Sequence, residues 1–197
     1  MPYGIYDLVH NQGYVYVGTS HDTAAFAVAA IVRWFERQDR PKFADETKIL
    51  ILSDSGGSNG YRVRNWKYQL QQQLADQFNI EVMVCHYPSG ASKWNPIEHR
   101  LFSFISLNWA GKPLRSLRWM TALIRGTTTS TGLIVKAAQL KGHYPTKASC
   151  IRCRNGNYEF DTTPDLSTME LSLSSPPAVS SKCMKLFLYK PIAVIVE

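Results

Sequence analysis

The segment 48–54, with the sequence KILILSD, constrains the fold more than any other part of the chain. Four consecutive branched aliphatic residues are typical of a strand that is buried on both faces of a sheet. A glycine-rich turn, 55–60, follows at once and leads to a predicted helix, 62–78, with one apolar stripe. A buried strand, a turn and an amphipathic helix in this order are typical of an α/β fold.

The flanking segments extend this pattern in both directions. Upstream, β-branched and aromatic runs at 3–9 and 14–19 predict an antiparallel hairpin, and Asp22 and Thr23 are predicted to cap a helix. Downstream, a second buried strand is predicted at 80–85 and a further helix near 114–125. Between them an amphipathic helix is predicted from its apolar residues, which are Trp94, Ile97, Leu101, Phe104 and Ile105. The order predicts a mixed sheet flanked by helices.

The charge balance favours an anionic partner. The 197 residues include 22 Lys+Arg and 15 Asp+Glu, a net charge of +7, which favours nucleic acid first. A hydrophobic fraction of 45% supports a packed core and excludes a wholly disordered chain. No apolar run approaches the roughly 20 residues of a membrane span, and the amino end has no export leader. We therefore expect no membrane partner, a cytoplasmic location and reduced cysteines.

Two acidic residues occupy informative positions. Asp54 ends the first buried strand, and Glu98 lies in the first turns of the helix that follows the second, beside its apolar stripe. A carboxylate beside an apolar stripe needs a partner, and Mg²⁺ is typically held by one or two carboxylates with phosphate and water. The alternative is that Asp54 forms the turn and Glu98 interacts favourably with the helix dipole.

Several motifs together identify a family resemblance. DSGGSNG at 54–60, Trp66-Lys67, and CHYPSGASKWNPIEHRLFS at 85–103 resemble the DDE transposases of the ISAzo-thirteen-type insertion sequences, as do PYGIYD at 2–7 and HDTAAFA at 21–27. The resemblance covers residues 2–147. It implies an RNase H-like fold, with Asp54 and Glu98 as the second and third acids of the DDE triad. It also implies Mg²⁺ or Mn²⁺ as cofactor, two-metal cleavage and strand transfer of DNA, and a homo-oligomer on DNA.

The chain departs from the family pattern at both ends. An RNase H-like sheet begins with three antiparallel strands, with the first acid on strand one, but only two strands are predicted before the first helix. We expect strand one and its acid to lie upstream of Met1, with Asp7 as the alternative first acid, and therefore impaired activity. Residues 1–147 are predicted to form the partial catalytic domain.

Residues 148–197 are expected to form a divergent, weakly ordered tail, because 161–181 is rich in Ser, Thr and Pro. A single strand within 185–196 has no obvious partner. The divergence of residues 148–197 from the family pattern suggests a frameshifted or decayed element. The alternatives to an enzyme are a non-catalytic DNA-binding remnant and an unstable fragment.

Other side chains have competing interpretations. Five basic residues are predicted to contact DNA phosphates, or else to be solvated helix faces: Lys93, Arg100, Arg62, Arg64 and Lys67. For Trp66 and Trp94, core packing is favoured over base stacking. His86 and His99 would assist proton transfer or contact phosphate, or would be ordinary packed or exposed imidazoles. Zinc at Cys150 and Cys153 is disfavoured, because only the distant His143 and Cys183 could complete four ligands.

Overall fold

A six-stranded mixed sheet lies at the centre of the molecule, as the sequence predicts. The computed structural model describes residues 1–19, 21–39, 48–144 and 192–196. The strands are β1 (Pro2–Asp7), β2 (Gln12–Val17), β3 (Lys48–Ser53), β4 (Glu81–His86), β5 (Ile134–Gln139) and β6 (Ile192–Val196). Their order across the sheet is β4-β3-β6-β1-β2-β5. The predicted hairpin is present as β1 and β2, which pair antiparallel.

The strand β6 has two partners, so the expectation of an unpartnered strand near the carboxyl end is wrong. It lies between β1, to which it is antiparallel, and β3, to which it is parallel. Val194, Ile195 and Val196 are fully buried because both faces of this central strand are covered. β6, β1 and β2 thus form three successive antiparallel strands. The position in the sheet of strand one, which was expected to lie upstream of Met1, is occupied by β6, a segment beyond residue 147.

Helices cover both faces of the sheet. On one face lie α1 (Ala24–Trp34) and α2 (Arg64–Leu70), and on the other lie α3 (Ser103–Trp109) and α4 (Leu117–Arg125). The hydroxyl of Thr23 caps α1 by accepting a hydrogen bond from the Phe26 amide at 3.3 Å. Three π-helical turns, Phe35–Asp39, Gln71–Asp76 and Glu98–Phe102, adjoin α1, α2 and α3. None of the helices in the described ranges is long and apolar enough to span a membrane.

Side-chain alternation along β3 explains why its whole aliphatic run is buried. Ile49 and Ile51 pack against α1 and α2, whereas Leu50 and Leu52 pack on the face that α3 covers. The prediction of a strand buried on both faces is therefore confirmed.

The edge strand β5 was not predicted from the sequence. It pairs parallel with β2, and only Val135 and Ala137 of its side chains are buried. The short pattern IVKAAQ mixes strand-forming and helix-forming residues, so its pairing depends on the preformed edge of β2. Of the predicted tail 148–197, only residues 192–196 are described, and its cysteines lie outside the described residues.

Candidate active site

Asp54 lies at the carboxyl edge of the sheet, the edge at which β3, β4 and β6 end. It directly follows Ser53, the last residue of β3. The residue is half-buried, and its Oδ1 accepts a hydrogen bond from the Ser55 amide at 2.7 Å. This single local bond leaves carboxylate lone pairs available for another ligand.

The turn after Asp54 is fixed by its glycines and by one asparagine. Gly57 has a φ of 71°, and a Cβ on Gly60 would lie 2.8 Å from the Ser55 carbonyl oxygen, so both positions require glycine. The buried Asn59 donates from Nδ2 to Ser53 Oγ at 2.8 Å and to the Val196 carbonyl at 3.4 Å. These contacts attach the turn to β3 and β6, and thereby position Asp54.

Glu98 lies in the other acid-bearing segment, on the face of the sheet that α3 covers. It begins the π-helical turn Glu98–Phe102, and its preceding residue, Ile97, is fully buried against the sheet. Ile97 and Phe102 lie over Gly4, where an added Cβ would be 2.5 Å from Phe102 Cζ. The pairing of Ile5 with Val196, and of Val196 with Ser53, places Gly4 level with Asp54 along the strands but two strand positions from it across the sheet.

Asp54 and Glu98 are the type of ligand that a hard divalent cation prefers. Both are half-buried, and among the described residues neither has an ion-pair partner. Two carboxylates, completed by water and a phosphate oxygen, form a donor set that Mg²⁺ accepts. A DDE triad, however, is not assembled within 1–19, 21–39, 48–144 and 192–196, where no group of three His, Cys, Asp or Glu side chains is positioned to hold a metal ion. The central strand Ile192–Val196 contains no acid.

Asp7 does not join this pair. It alternates with Tyr3 and Ile5 onto the opposite face, and lies two strand positions, or about 10 Å across the sheet, from β3. Its oxygens are used by the following turn: Oδ1 accepts from the amides of Val9 at 2.9 Å and His10 at 3.1 Å, and Oδ2 pairs with His10 Nδ1 at 2.7 Å. Asp7 is a buried turn residue.

The two candidate histidines bind backbone carbonyls. His86 Nε2 lies 2.9 Å from the Asn59 carbonyl oxygen, and His99 Nε2 lies 2.7 Å from that of Lys93. Burial lowers the pKa of His86, with a further lowering by Lys67, against opposing contributions from the Asn59 hydrogen bond and Asp54. The His86 ring thus binds the turn that follows Asp54, and the His99 ring binds the loop that precedes Glu98.

The five candidate DNA-binding residues are exposed and lie on several elements. Arg62 and Lys93 lie in the loops that follow β3 and β4, at the carboxyl edge. Arg64 and Lys67 belong to α2, on the face opposite Glu98, and Arg100 lies in the π-helical turn that begins with Glu98. The loops meet where Ser55 Oγ lies 3.3 Å from Ser89 Oγ.

The two tryptophans have different environments. Trp66 is fully buried, as expected, but Trp94 is 43% exposed, so the expectation that it packs in the core is wrong. Asn95 separates it from the helix, which begins at Pro96: Trp94 closes the short 3₁₀ turn Ser92–Trp94, and the Asn95 carbonyl accepts from the Glu98 amide at 3.2 Å. Trp94 therefore precedes the apolar stripe instead of belonging to it.

Sequence reasoning missed two residues of this region. Asn59 holds the turn, and the run of turn-forming residues around it gave no reason to single it out. Tyr61 is 45% exposed, with the Arg62 guanidinium 5.1 Å from its ring centroid. An adjacent aromatic and basic residue in a predicted loop is the pattern that could have identified this pair.

A comparison with protein families agrees with the motifs described above. The family model described as the Rhodopirellula transposase DDE domain matches residues 1–172, beyond residue 147, where the quoted motifs end. No curated protein and no solved structure matches the chain. The match covers most of the chain and includes β1 to β5 together with both candidate acids. The chain belongs to this family of transposase DDE domains.

Proposed function

We propose that this transposase domain acts on DNA phosphodiesters with Mg²⁺ or Mn²⁺ held by Asp54 and Glu98. The observation that supports the proposal is that both carboxylates are half-buried and have no ion-pair partner in the described part of the chain, Asp54 directly after β3 and Glu98 in the helical segment after β4. A divalent cation bound there supplies Lewis acidity at a phosphoryl oxygen. The two side chains orient the cation, and the fixed turn 55–60 keeps Asp54 in place.

Cleavage and strand transfer by this chain are proposed to be weak or absent. Two-metal phosphoryl transfer needs ligands for two cations about 4 Å apart, and among the described residues no group of three His, Cys, Asp or Glu side chains is positioned to hold a metal ion. The second candidate function is a non-catalytic DNA-binding remnant, which the all-apolar strand β6 favours because strand one normally carries the first acid. Metal binding and DNA cleavage distinguish the two functions.

Calorimetric titration with Mn²⁺ tests the metal site. We expect one cation to bind, and Asp54→Asn or Glu98→Gln to abolish the binding heat because each removes an anionic ligand. Asp76→Asn is the matched control, because Asp76 is exposed near the start of β4, at the opposite edge. Uptake that survives both Asp54→Asn and Glu98→Gln would contradict the proposed site.

Incubation of the chain with DNA that carries the insertion-sequence ends, in Mg²⁺, tests the proposed impairment. We expect DNA binding with little strand cleavage. Robust cleavage that Asp54→Asn abolishes would contradict the impairment and support the full transposase reaction. Salt-sensitive binding of DNA without Asp54-dependent uptake of Mn²⁺ would favour the remnant.

A further inference from the structure

The exposed ring of Trp94 carries a cation on one side. Lys93 Nζ lies 5.0 Å from its ring centroid, within the roughly 6 Å range of a cation–π interaction. A tryptophan that is 43% exposed forgoes much of the burial that the large indole ring offers. The pair therefore presents an aromatic surface and a positive charge to solvent together.

The backbone around this pair is held in place. The Trp94 amide donates to the Ala91 carbonyl at 2.9 Å, and the Lys93 carbonyl is bound by His99 Nε2 at 2.7 Å. The loop also meets the turn after Asp54 through Ser89 and Ser55. Lys93 and Trp94 are thus presented next to both acid-bearing segments on a loop with defined contacts, which lowers the ordering cost of binding.

A second pair of the same composition lies on the other loop. Tyr61 is 45% exposed with Arg62 over its ring, and its ring packs edge-on against His86 with centroids 6.2 Å apart. The loops after β3 and β4 each carry one exposed aromatic ring beside one cation. Aromatic rings with adjacent positive charges are the combination that binds single-stranded nucleic acid, because bases stack and phosphates are neutralised.

We propose that Trp94 is a stacking platform for an unpaired DNA base, with Lys93 at the adjoining phosphate. In duplex DNA the base faces are covered by their neighbours, so the ring can stack only on a single-stranded or frayed nucleotide. The preference is independent of sequence, since every base has a π-face. The proposal rests on the proposed function, and extends it by naming an unpaired strand next to Asp54 and Glu98 as the form of DNA that is bound.

Fluorescence anisotropy with a labelled single-stranded oligonucleotide and a blunt duplex, in EDTA, tests this platform without cleavage. We expect Trp94→Ala to weaken binding of the single strand about tenfold or more, and to leave binding of the duplex unchanged. Trp94→Phe should retain most of the affinity because it keeps an aromatic face. Trp119→Ala is the matched control, because Trp119 is 50% exposed but lies on α4.

The outcomes separate the platform from the proposed function. Equal effects of Trp94→Ala and Trp119→Ala on the single strand, or equal losses for single strand and duplex, would overturn the stacking proposal alone. Absence of binding to either DNA by the unmodified chain would overturn the proposed function together with the platform. Circular dichroism of each variant verifies that the fold is retained, which we expect because both tryptophans are exposed.

Discussion

His86 connects the end of β4 to the turn that positions Asp54. Its Nε2 faces the Asn59 carbonyl oxygen at 2.9 Å, so the neutral ring donates from Nε2 and its remaining nitrogen, Nδ1, takes up the second proton. Burial, followed by the positive charge of Lys67, lowers the pKa of the folded ring below the ordinary 6.5, although Asn59 and Asp54 oppose this shift. Protonation of His86 is therefore coupled to the stability of the fold.

We predict that stability decreases as the pH falls below about 6.5, the ordinary pKa of histidine. In that range the unfolded chain takes up a proton at His86 before the folded chain does. The stabilisation that comes from the lowered pKa of His86 is fully present above pH 6.5. It is lost as the pH falls through the lower pKa of the folded chain. Urea unfolding at a series of pH values should show a shallower dependence for His86→Gln, which retains a donor for Asn59.

His99→Gln is the control for this measurement, because His99 is exposed and its ring likewise binds a backbone carbonyl, that of Lys93. This variant exchanges a histidine for glutamine at a backbone carbonyl without removing a buried ring. Equal slopes for His86→Gln and the unmodified chain would show that burial of His86 does not couple to folding.

At the scale of elements, the sequence predicts what local patterns determine. The aliphatic run of β3, the Thr23 cap of α1 and the hairpin of β1 and β2 were all readable, since each depends on neighbours in the chain. The pairing of β6 was not readable, because its apolar residues match any buried strand and its partners are distant in sequence. The sequence pattern predicts that the helix includes Trp94, but the helix begins after Asn95. Trp94 therefore does not lie on the apolar stripe of that helix.

For the candidate site, too, the features that local sequence patterns determine could be predicted, and those that depend on distant pairing could not. The turn after β3 and the helix after β4 could be identified as the positions of Asp54 and Glu98, because strand ends and helix starts are locally encoded. The exclusion of Asp7 required the register between β1, β6 and β3, which no local pattern contains.

Strand β6 should contribute strongly to stability because it is central in the sheet. We predict that Ile195→Ala lowers the free energy of unfolding by about 2–5 kcal/mol, since the side chain is fully buried and its removal leaves a cavity. The matched variant Ile134→Ala, in the edge strand β5, removes a side chain that is 52% exposed and should cost less than about 1 kcal/mol. Urea denaturation of both variants measures the difference. Equal, small losses would contradict the central position of β6.

At the scale of the whole molecule, positive charge lies on both helical faces as well as at the carboxyl edge, so the net charge of +7 alone does not locate a DNA surface. The proposed metal site at Asp54 and Glu98 would locate this surface, because the phosphate acted on would lie beside the bound cation. Arg62 and Arg100 are exposed on the two acid-bearing segments, whereas Lys48 lies at the opposite edge and is paired with Glu81 at 2.9 Å. The phosphates of a duplex bound at the carboxyl edge would be neutralised by Arg62 and Arg100 and not by Lys48.

The salt dependence of duplex binding tests this orientation. Each phosphate contact that is lost should reduce the slope of log K against log salt by about 0.9, so Arg62→Ala with Arg100→Ala should reduce it by about two. Lys48→Ala should leave the slope unchanged, because its ammonium is distant from the bound strand and already paired. A smaller slope for Lys48→Ala than for the double variant would place the DNA at the opposite edge, away from Asp54 and Glu98, and would separate DNA binding from the candidate metal site.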